Sequence, residues 1–434
     1  MAQKKSRPIR TRNGIPLTRD EYRQLRKMKE REDRRKRQEA WEAARGPMDM
    51  PFFLIAMLLL GIGLIMLFSA SFPNAQSSSR LGNDPLYFIK RQVIFAVGGV
   101  LLMLWVSKIN YERFRGLAQL ALIVSITSLV LVVIPGPNNG RLFAISINGA
   151  ARWLGIPNTP LTFQPSDVAK LGLIVYFAES ISKKREKMKN FKEGFLHHAV
   201  ILLTMVLLTI REPHFSGAIL IGGIGAAMMV VGGIHWGWIA AGVGGVGFAS
   251  YLLVFTNVID NFFKAIHYNA SRIAVWRDPF GGDSEFRRGP AWQTIQGLYA
   301  VGSGGLLGVG LGKSRQKFGF LPEAQNDYIF AVVLEELGLV GGGLIMILFA
   351  LLIIRGFWLA IHARDRFGSL LIVGVTTQIA LQTFLNIAVA TNFIPATGIS
   401  LPFFSSGGTA LIIQLVEVGI VLSVSRQIPA PKAS

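Results

Sequence analysis

The stretch Leu321–Gly338, LPEAQNDYIFAVVLEELG, changes from a polar segment into an apolar helix at Asp327. Two further carboxylates, Glu335 and Glu336, lie inside the apolar part. Because a helix rises about 1.5 Å per residue, they lie about 12–14 Å along the helix from Asp327. An ionised side chain at membrane depth costs about 2.5–3.5 kcal/mol on insertion scales, so such residues usually face a polar interior. The local sequence leaves two roles open for Asp327: an N-cap that accepts the free N–H groups of the helix, or a catalytic carboxylate.

The composition around this stretch is that of an integral membrane protein. Of the 434 residues, 51% are hydrophobic and 16% are charged, whereas a soluble domain carries about 25% charged residues. The apolar residues also come in blocks long enough to span a membrane. The sequence has no cysteine, which excludes disulfides, cysteine-ligated zinc and thiol catalysis. The histidines show no ligand-like spacing beyond His197–His198, so no metal site is predicted.

Much of the net charge of +20 lies at the start of the chain. Residues 1–47 contain 16 Lys and Arg against 7 Asp and Glu. A basic segment of this kind next to a membrane span is typical of the cytoplasmic side, where it is attracted to anionic lipid. We therefore predict a basic cytoplasmic N-terminal tail at 1–47 and no nucleic-acid partner.

Ten apolar segments of spanning length predict an all-α, polytopic membrane fold. Basic loops after the fourth and eighth spans belong on the same side as the N-terminal tail, which is the cytoplasmic side. Both termini are then cytoplasmic, and the long loop 257–326 between spans seven and eight is extracytoplasmic. This organisation predicts a transmembrane domain at 48–428 and a short cytoplasmic tail at 429–434. The predicted spans are 51–72, 93–109, 117–135, 166–182, 195–210, 216–233, 236–256, 328–354, 370–390 and 409–425.

Two pairs of opposite charges stand at the extracytoplasmic ends of predicted spans. Asp167 and Lys170, in FQPSDVAK, are three residues apart and therefore share a helix face. Arg211 and Glu212 belong to REPHF, whose proline breaks the helix and leaves backbone groups that need a polar site. The first pair has two interpretations: a neutralised ion pair that eases membrane insertion, or part of the lining of a polar cavity.

The long loop combines a glycine-rich run with cations. The run VGSGGLLGVGLGKSRQKFGF (301–320) leads directly into the stretch that contains Asp327. Glycine-rich backbone beside Lys or Arg can hold an anion, although the run has neither a Walker A nor a dinucleotide-binding pattern. A basic loop that leads into a carboxylate at the membrane surface suits a lipid with an anionic head group. The candidate anion-binding residues are Arg152, Lys170, Arg211, Arg272, Lys313, Arg315 and Lys317.

A series of motifs runs through the predicted transmembrane domain: LIMLFSAS (64–71), NGAARWL (148–154), FQPSDVAK (163–170), REPHFSGA (211–218), DPF (278–280), GSGGLLGVGLGKSRQKFGFLPEAQNDYIF (302–330), EELG (335–338) and TGISLPFFSSGG (397–408). With these motifs the chain resembles the SEDS family of cell-wall glycosyltransferases, the FtsW/RodA/SpoVE group. The resemblance implies a ten-helix bundle, lipid II as substrate and a class B penicillin-binding transpeptidase as partner. It also implies that Asp327, the acid of the LPEAxxD motif, is the catalytic residue. The FSAS and LPFFSSGG segments are closest to the FtsW/SpoVE side, so divisome or sporulation proteins are further expected partners.

The chain departs from the usual family pattern in four places. Gln325 and Asn326 stand where the family often has His-Thr, and the last loop has FFSSGG where SYGG is common. Asp167 replaces a usual Glu and keeps the charge. His214 stands where an acid is common, so a carboxylate is missing at that site.

The resemblance implies glycan polymerisation at the outer face of the bacterial cytoplasmic membrane. The GlcNAc 4-hydroxyl of one lipid-linked disaccharide attacks C1 of the MurNAc on another, and undecaprenyl pyrophosphate leaves with inversion at that carbon. The hydroxyl needs a general base, for which we predict Asp327, and the pyrophosphate needs cationic stabilisation. No cofactor is predicted firmly, although Mg²⁺ or Mn²⁺ could share the stabilising role.

Two other functions remain open at this point. A lipid II flippase or related transporter would use the same polar cavity, but no strong internal repeat is visible in the sequence. A non-catalytic scaffold would use the same fold to recruit a transpeptidase.

Overall fold

The computed structural model describes residues 46–134, 144–147, 150–155, 162–212, 214–235 and 271–428, with a few isolated positions in 24–32 and 237–245. Residues Met48–Ile428 form one compact unit. The predicted tails, 1–47 and 429–434, lie almost entirely outside the described residues. The predicted seventh span at 236–256 does so as well, and these assignments stay predictions.

The described part of the chain is mainly helical, as predicted for a polytopic membrane protein. Within the described ranges, a helix stands at nine of the ten predicted spans. The largest difference in bounds is in α10, which continues to His362 instead of ending near residue 354. The spanning-length and shorter apolar helices are α1 (Met50–Ser77), α2 (Tyr87–Val106), α3 (Arg113–Val133), α4 (Pro165–Lys183), α5 (His197–Arg211), α6 (Phe215–Val231), α10 (Ile329–His362), α11 (Arg366–Ala390) and α12 (Gly408–Ser425).

Short elements connect these helices. A 3₁₀ turn at Ser79–Leu81 follows α1, and a 3₁₀ turn at Arg185–Lys189 and a π-helical turn at Phe191–Leu196 lead into α5. The described part of the long loop contains three helices, α7 (Ser271–Arg277), α8 (Ser284–Arg288) and α9 (Trp292–Gly304). The described part of the loop therefore consists of three helices joined by turns and irregular segments.

Seven helices in the described ranges are long and apolar enough to cross a membrane: α1, α2, α3, α5 with its π-helical turn, α10, α11 and α12. Helix α6 is equally apolar but has 17 residues. Helix α4 carries charged residues at both ends, and it packs against α3, α6 and α11 with most of its side chains buried. Asp167, Lys170 and Glu179 are buried and therefore face protein instead of lipid, which is how ionised residues are tolerated at this depth, whereas Lys183 at the end of the helix is exposed.

A small antiparallel sheet lies in the loop before α4 and was not predicted. Its strands are β1 (Ala144–Ile147), β2 (Ala150–Gly155) and β3 (Thr162–Phe163), in the order β1-β2-β3. Ile145 pairs with Trp153, and Leu154 pairs with Phe163. The sheet is an addition to a fold that is otherwise helical, and its middle strand packs against α3 and α4.

Helix α10 bends at Gly338, where φ is 68° and ψ is −172°. A Cβ atom at this position would lie 2.3 Å from the amide nitrogen of Gly308 and 2.5 Å from the carbonyl oxygen of Leu306. Glycine is needed both for the positive φ and for this close approach. The backbone that follows α9 is thus packed directly against α10 at the bend.

Candidate active site

A cavity of about 470 Å³ lies between the segment that precedes α10 and the loop 398–407. Its other walls come from β2, from the first turns of α4 and α6, and from α11 and α12. Five of the ten predicted site residues line this cavity: Arg152, Asp167, Lys170, Arg272 and Asp327.

Asp327 lies before the first turn of α10 but does not cap it. The N-cap residue is Tyr328, which makes no side-chain capping bond, and the helix begins at Ile329. The backbone carbonyl of Asp327 accepts a hydrogen bond of 2.9 Å from Asn386 Nδ2, and the same nitrogen donates 2.6 Å to the carbonyl of Ile399. The N-cap interpretation of Asp327 is therefore wrong, and its carboxyl group is one wall of the cavity.

Gly398 lets the last loop approach this carboxyl group closely. Its φ is +73°, and a Cβ atom there would lie 3.2 Å from Oδ2 of Asp327. Two further contacts join the loop to the same segment: Ser405 Oγ donates to the carbonyl of Asn326 at 2.7 Å, and the Ser406 amide donates to the carbonyl of Gln325 at 2.9 Å. Loop 397–408 therefore holds the backbone that carries Asp327.

The surroundings of Asp327 adjust its protonation. Burial raises its pKa to about 6, and the nearby carboxylate of Glu323 acts in the same direction. The guanidinium groups of Arg152 and Arg272 oppose this rise. At neutral pH the group is then mostly ionised, and it has a pKa suited to a general base.

Arg152 and Arg272 supply positive charge beside Asp327. Arg152, on β2, has a lowered pKa because of burial and then because of Arg272. Its buried Nε makes no hydrogen bond within the part of the chain that the structure describes. Arg272 donates a hydrogen bond of 2.9 Å to the carbonyl of Ala396. An anionic group that enters the cavity would find donors on at least one of these side chains.

Asp167 and Lys170 form an ion pair of 2.8 Å on α4, with side chains that are 12% and 5% exposed. Both residues also line the cavity, so this ion pair belongs to the cavity wall, and its contact with substrate stays a prediction. Deeper in the bundle, Gln378 Nε2 donates 2.7 Å to the buried Glu417. Glu417 was not predicted as part of a polar interior.

His214 replaces an acid with an uncharged ring. It lines the cavity, and its Nδ1 lies 3.2 Å from Nε2 of Gln164. Burial lowers its pKa to about 3, with further contributions from Arg152 and Lys170. The imidazole is therefore neutral at neutral pH and does not take over the charge of the missing carboxylate.

The other predicted residues are not brought to the cavity wall. Arg211 is exposed, and Glu212 is buried close enough to Arg152 to affect its pKa. The side chains of Lys313 and Arg315 are exposed. Lys317 is buried elsewhere, in an ion pair with Glu336.

The hydrogen-bond donors to Glu335 and Glu336 come from the glycine-rich loop and from α1. Glu336 accepts hydrogen bonds from Ser69 Oγ at 2.7 Å, from the Gly312 amide at 3.0 Å and from Lys317 Nζ at 2.7 Å. Glu335 accepts from the hydroxyl of Ser314 at 2.5 Å and from the amide of Arg315 at 2.8 Å. We call this group, Ser69, 312–317 and Glu335–Glu336, the carboxylate clasp.

Amide side chains form much of the cavity wall, and the sequence analysis missed them. An amide can both donate and accept hydrogen bonds, which suits a ligand rich in hydroxyl and acetamido groups. The Oε1 atoms of Gln378 and Gln382 are buried and have no hydrogen-bond partner among the described residues. Their signal in the sequence is two glutamines four apart in an apolar helix. The lining amides are Gln164, Gln293, Asn326, Gln378, Gln382 and Gln414.

A ready-made metal site is not visible in the described ranges, which contain no cluster of three or more His, Asp or Glu. Glu323 and Asp327 are two carboxylates on the same wall, and Mg²⁺ is often held by one or two carboxylates together with substrate phosphates. Binding of a divalent cation therefore stays a prediction, with Glu323 and Asp327 as its protein ligands.

The sequence matches the cell cycle proteins FtsW, RodA and SpoVE over residues 49–429. It is 38% identical over 384 residues to Stage V sporulation protein E of Bacillus subtilis, which covers 87% of this chain and 97% of that protein. It is 35% identical over 377 residues to a probable peptidoglycan glycosyltransferase FtsW of Geobacter metallireducens, which covers 87% of this chain and 94% of that protein.

Solved structures agree with this match. One similar chain belongs to a peptidoglycan synthase complex described for its structural coordination of polymerization and crosslinking, with 26% identity and a TM-score of 0.68 over 87% of this chain and 98% of the other. Another is the rod shape determining protein RodA of Thermus thermophilus, with 25% identity and a TM-score of 0.61 over 88% of this chain and 98% of the other.

Proposed function

The chain belongs to the FtsW/RodA/SpoVE family, and from that membership we propose that it is a peptidoglycan glycosyltransferase that polymerises lipid II. The observation that carries the proposal is the position of Asp327. Its carboxyl group lines a cavity with Arg152 and Arg272 close enough to act on its pKa. A base and two cations are what a hydroxyl nucleophile and a pyrophosphate leaving group require.

The proposed reaction uses Asp327 as the base. Its carboxylate takes the proton of the GlcNAc 4-hydroxyl while that oxygen forms a bond to C1 of the MurNAc on a second lipid II. The bond from C1 to the pyrophosphate oxygen breaks, and the electron pair leaves with undecaprenyl pyrophosphate. Inversion at C1 gives a β-1,4 link, and Asp327 then releases its proton to water.

The remaining cavity residues have positioning roles in this scheme. Arg152 and Arg272 would bind the pyrophosphate oxygens, and Lys170 would add a third cation from α4. The amide-rich wall would bind the sugars, because amide side chains such as those of Gln378 and Gln382 line the cavity and can both donate and accept hydrogen bonds. Glu323 and Asp327 are the residues that would hold a divalent cation, which would supply further positive charge to stabilise the leaving pyrophosphate.

The side of the membrane and the partner follow from the same proposal. The basic loops after α4 and α10 favour cytoplasmic termini and an extracytoplasmic cavity, at the bacterial cytoplasmic membrane. We further propose a class B transpeptidase as partner, since a similar solved chain belongs to a complex that coordinates polymerization and crosslinking. Similarity to both a sporulation protein and FtsW proteins favours septum synthesis in division or sporulation, with the corresponding divisome or sporulation proteins.

Purified protein with labelled lipid II tests the function directly. We expect glycan polymer from the wild-type chain, more of it when the cognate transpeptidase is added, and far less from Asp327→Asn. Transfer of lipid II across a liposome bilayer without polymer would instead support a flippase. Neither activity in a folded protein that still binds the transpeptidase would support a scaffold.

A further inference from the structure

An exposed apolar tip lies inside the long loop, between α9 and the carboxylate clasp. We use the name apolar tip for residues 305–311, GLLGVGL. Leu306 and Leu307 are 68% and 81% exposed, and Val309 and Leu311 are also exposed. Four aliphatic side chains in one short segment face away from the protein, in a loop that was predicted to be extracytoplasmic.

The apolar tip is attached to α10 by its backbone. The Leu339 amide donates 2.9 Å to the carbonyl of Gly305, and the Val340 amide donates 3.0 Å to the carbonyl of Leu306. The Val309 amide in turn donates 2.9 Å to the carbonyl of Glu335. Leu339 and Val340 are themselves exposed, and exposed apolar residues continue along α10 to Ile361. The apolar tip is therefore continuous with the lipid-facing surface of this spanning helix.

Two polar contacts between α1 and α10 locate the membrane boundaries. Arg355 pairs with Asp49 at 2.5 Å, and Ser69 donates to Glu336 at 2.7 Å. On both helices these contacts are separated by about 29–30 Å at 1.5 Å per residue, which is close to the hydrocarbon thickness of about 30 Å. The clasp thus lies at one boundary, and Leu339 and Val340 lie on its hydrocarbon side.

Cations follow the apolar tip in the sequence. Lys313 and Arg315 are exposed, and their backbone is held by the clasp at the boundary just described. Aliphatic side chains with cations next to them are typical of segments that lie in a membrane interface, where the cations contact lipid phosphates. The segment 312–317, which follows the apolar tip, donates hydrogen bonds to the carboxylates of Glu335 and Glu336 on α10. These bonds prevent the apolar tip from moving away from α10.

We propose that the apolar tip is a membrane anchor. It inserts Leu306, Leu307, Val309 and Leu311 among the acyl chains of the leaflet next to the cavity, with Lys313 and Arg315 at the level of the lipid phosphates. The anchor sets the height of the following segment, which carries Asp327, relative to the lipid head groups. This inference concerns the contact with lipid and does not depend on the proposed reaction.

Spin labels measure the depth of the apolar tip directly, because the chain has no native cysteine. The full-length variants Leu307→Cys, Ser284→Cys and Ile347→Cys are labelled with a nitroxide and placed in liposomes of phosphatidylethanolamine and phosphatidylglycerol. Ser284 is exposed on α8 of the same loop, and Ile347 faces outward in the middle of α10. We expect the ratio of collisions with oxygen to collisions with a water-soluble nickel chelate to be several-fold higher at 307 than at 284, and lower than that at 347, which lies deeper in the bilayer.

A water-like ratio at 307, equal to that at 284, would overturn the anchor. A second measurement adds the purified transpeptidase. If the label at 307 is accessible to the chelate in liposomes and becomes protected only with that protein, the apolar tip is a protein-docking surface and the anchor is wrong. Protection in liposomes alone, unchanged by the added protein, supports it. Because Leu307 is strongly exposed, the cysteine does not disturb packing, and thermal unfolding of each labelled variant checks this.

Discussion

The cavity and the carboxylate clasp differ in the surroundings of the carboxylates that Leu321–Gly338 contributes to each of them. In the clasp, Glu336 is 0% and Lys317 is 3% exposed at the side chain, and they form an ion pair. Hydroxyl and amide groups donate further hydrogen bonds to the same carboxylates. In the cavity, the carboxyl group of Asp327 instead lies on the wall of an open space. Amide acceptors without a partner among the described residues occur in both regions, on Gln378 and Gln382 beside the cavity and on Gln316 in the clasp.

This difference separates a structural role from a chemical one. A buried carboxylate with several hydrogen-bond donors stabilises one arrangement of the chain, whereas a carboxyl group on a cavity wall can contact a ligand. Glu335 and Glu336 were conspicuous in the sequence because they are charged, but their carboxylates accept hydrogen bonds that fix the position of the loop segment 312–317. We therefore expect mutations in the clasp to change stability and mutations in the cavity to change rate.

Asp327→Asn should give the largest loss of activity. Asn cannot take a proton from a hydroxyl, so polymerisation by the purified protein should fall about 10²–10⁴-fold, with expression and unfolding temperature unchanged. Asp327→Glu should also be impaired, because a small displacement at the reacting atoms is costly. The matched control is Asp283→Asn at the N-cap of α8 in the same loop, where Asn caps as well as Asp. A near wild-type rate for Asp327→Asn would remove this residue from the chemistry.

Glu336→Gln should have the largest effect on stability. It leaves the buried Lys317 ammonium without its partner, and removing one member of a buried ion pair costs about 3–5 kcal/mol. Thermal unfolding in detergent should show a clear drop, partly reversed when Lys317→Met is added. Lys313→Met, which removes an exposed cation from the same loop, should unfold like wild type. Equal stability of Glu336→Gln and Lys313→Met would contradict the role given to the clasp.

The rate of polymerisation should depend on pH through Asp327, whose pKa is about 6. A general base works when it is ionised, and its ionised fraction increases as pH rises through its pKa. Below about pH 6 the rate should therefore fall about tenfold per pH unit, and above it the rate should level off. Residual activity of Asp327→Asn should lack this rise. A wild-type rate that falls between pH 5 and 7 would identify Asp327 as an acid instead.

Exchange of Asp167 and Lys170 tests whether a charge can be both structural and functional. Either single neutral variant leaves its partner unpaired in a poorly solvated place and should reduce expression. The double variant Asp167→Lys with Lys170→Asp restores the pair, so expression and unfolding temperature should recover. Activity should stay low, because the positive charge has moved along α4 within the cavity wall. Recovery of full activity would assign the pair to structure alone.

Gln382→Met should have the smallest effect. It removes one amide that can bind a sugar, and a hydrogen bond contributes about 0.5–1.5 kcal/mol, so KM for lipid II should rise roughly 2–10-fold with kcat nearly unchanged. Gln76→Met at the exposed end of α1 is the control and should leave both constants unchanged. An unchanged KM for Gln382→Met would mean that the amide wall does not contact the substrate.

Much of the fold and the centre of the site could be predicted from the sequence. The apolar segments are long enough to identify most of the helices, and Asp167, Lys170 and Asp327 stand out because they are charges at the ends of apolar runs. The capping role considered for Asp327 was wrong, because the helix begins at Ile329, two residues later. That distinction depends on backbone angles at a boundary, which local sequence does not determine.

Other parts of the site depend on contacts that are distant in the sequence. Lys317 is close to Asp327 along the chain, yet its ammonium group points to Glu336 and to Ser69 of α1. Gln378 and Gln382 look like tolerated polar residues in an apolar helix until α11 is seen to face the cavity. The small sheet that carries Arg152 has short strands, one of only two residues, which is too little for an alternating pattern to show.

The clasp also has a consequence for biosynthesis. A ribosome makes the chain from its N-terminus, and the clasp residues that donate hydrogen bonds to Glu335 and Glu336 all precede them: Ser69 in the first described spanning helix, and 312–317 in the loop. When the translocon delivers the acidic pair to the membrane, its partners have already been synthesised. The order of translation thus matches the order in which the charges need partners.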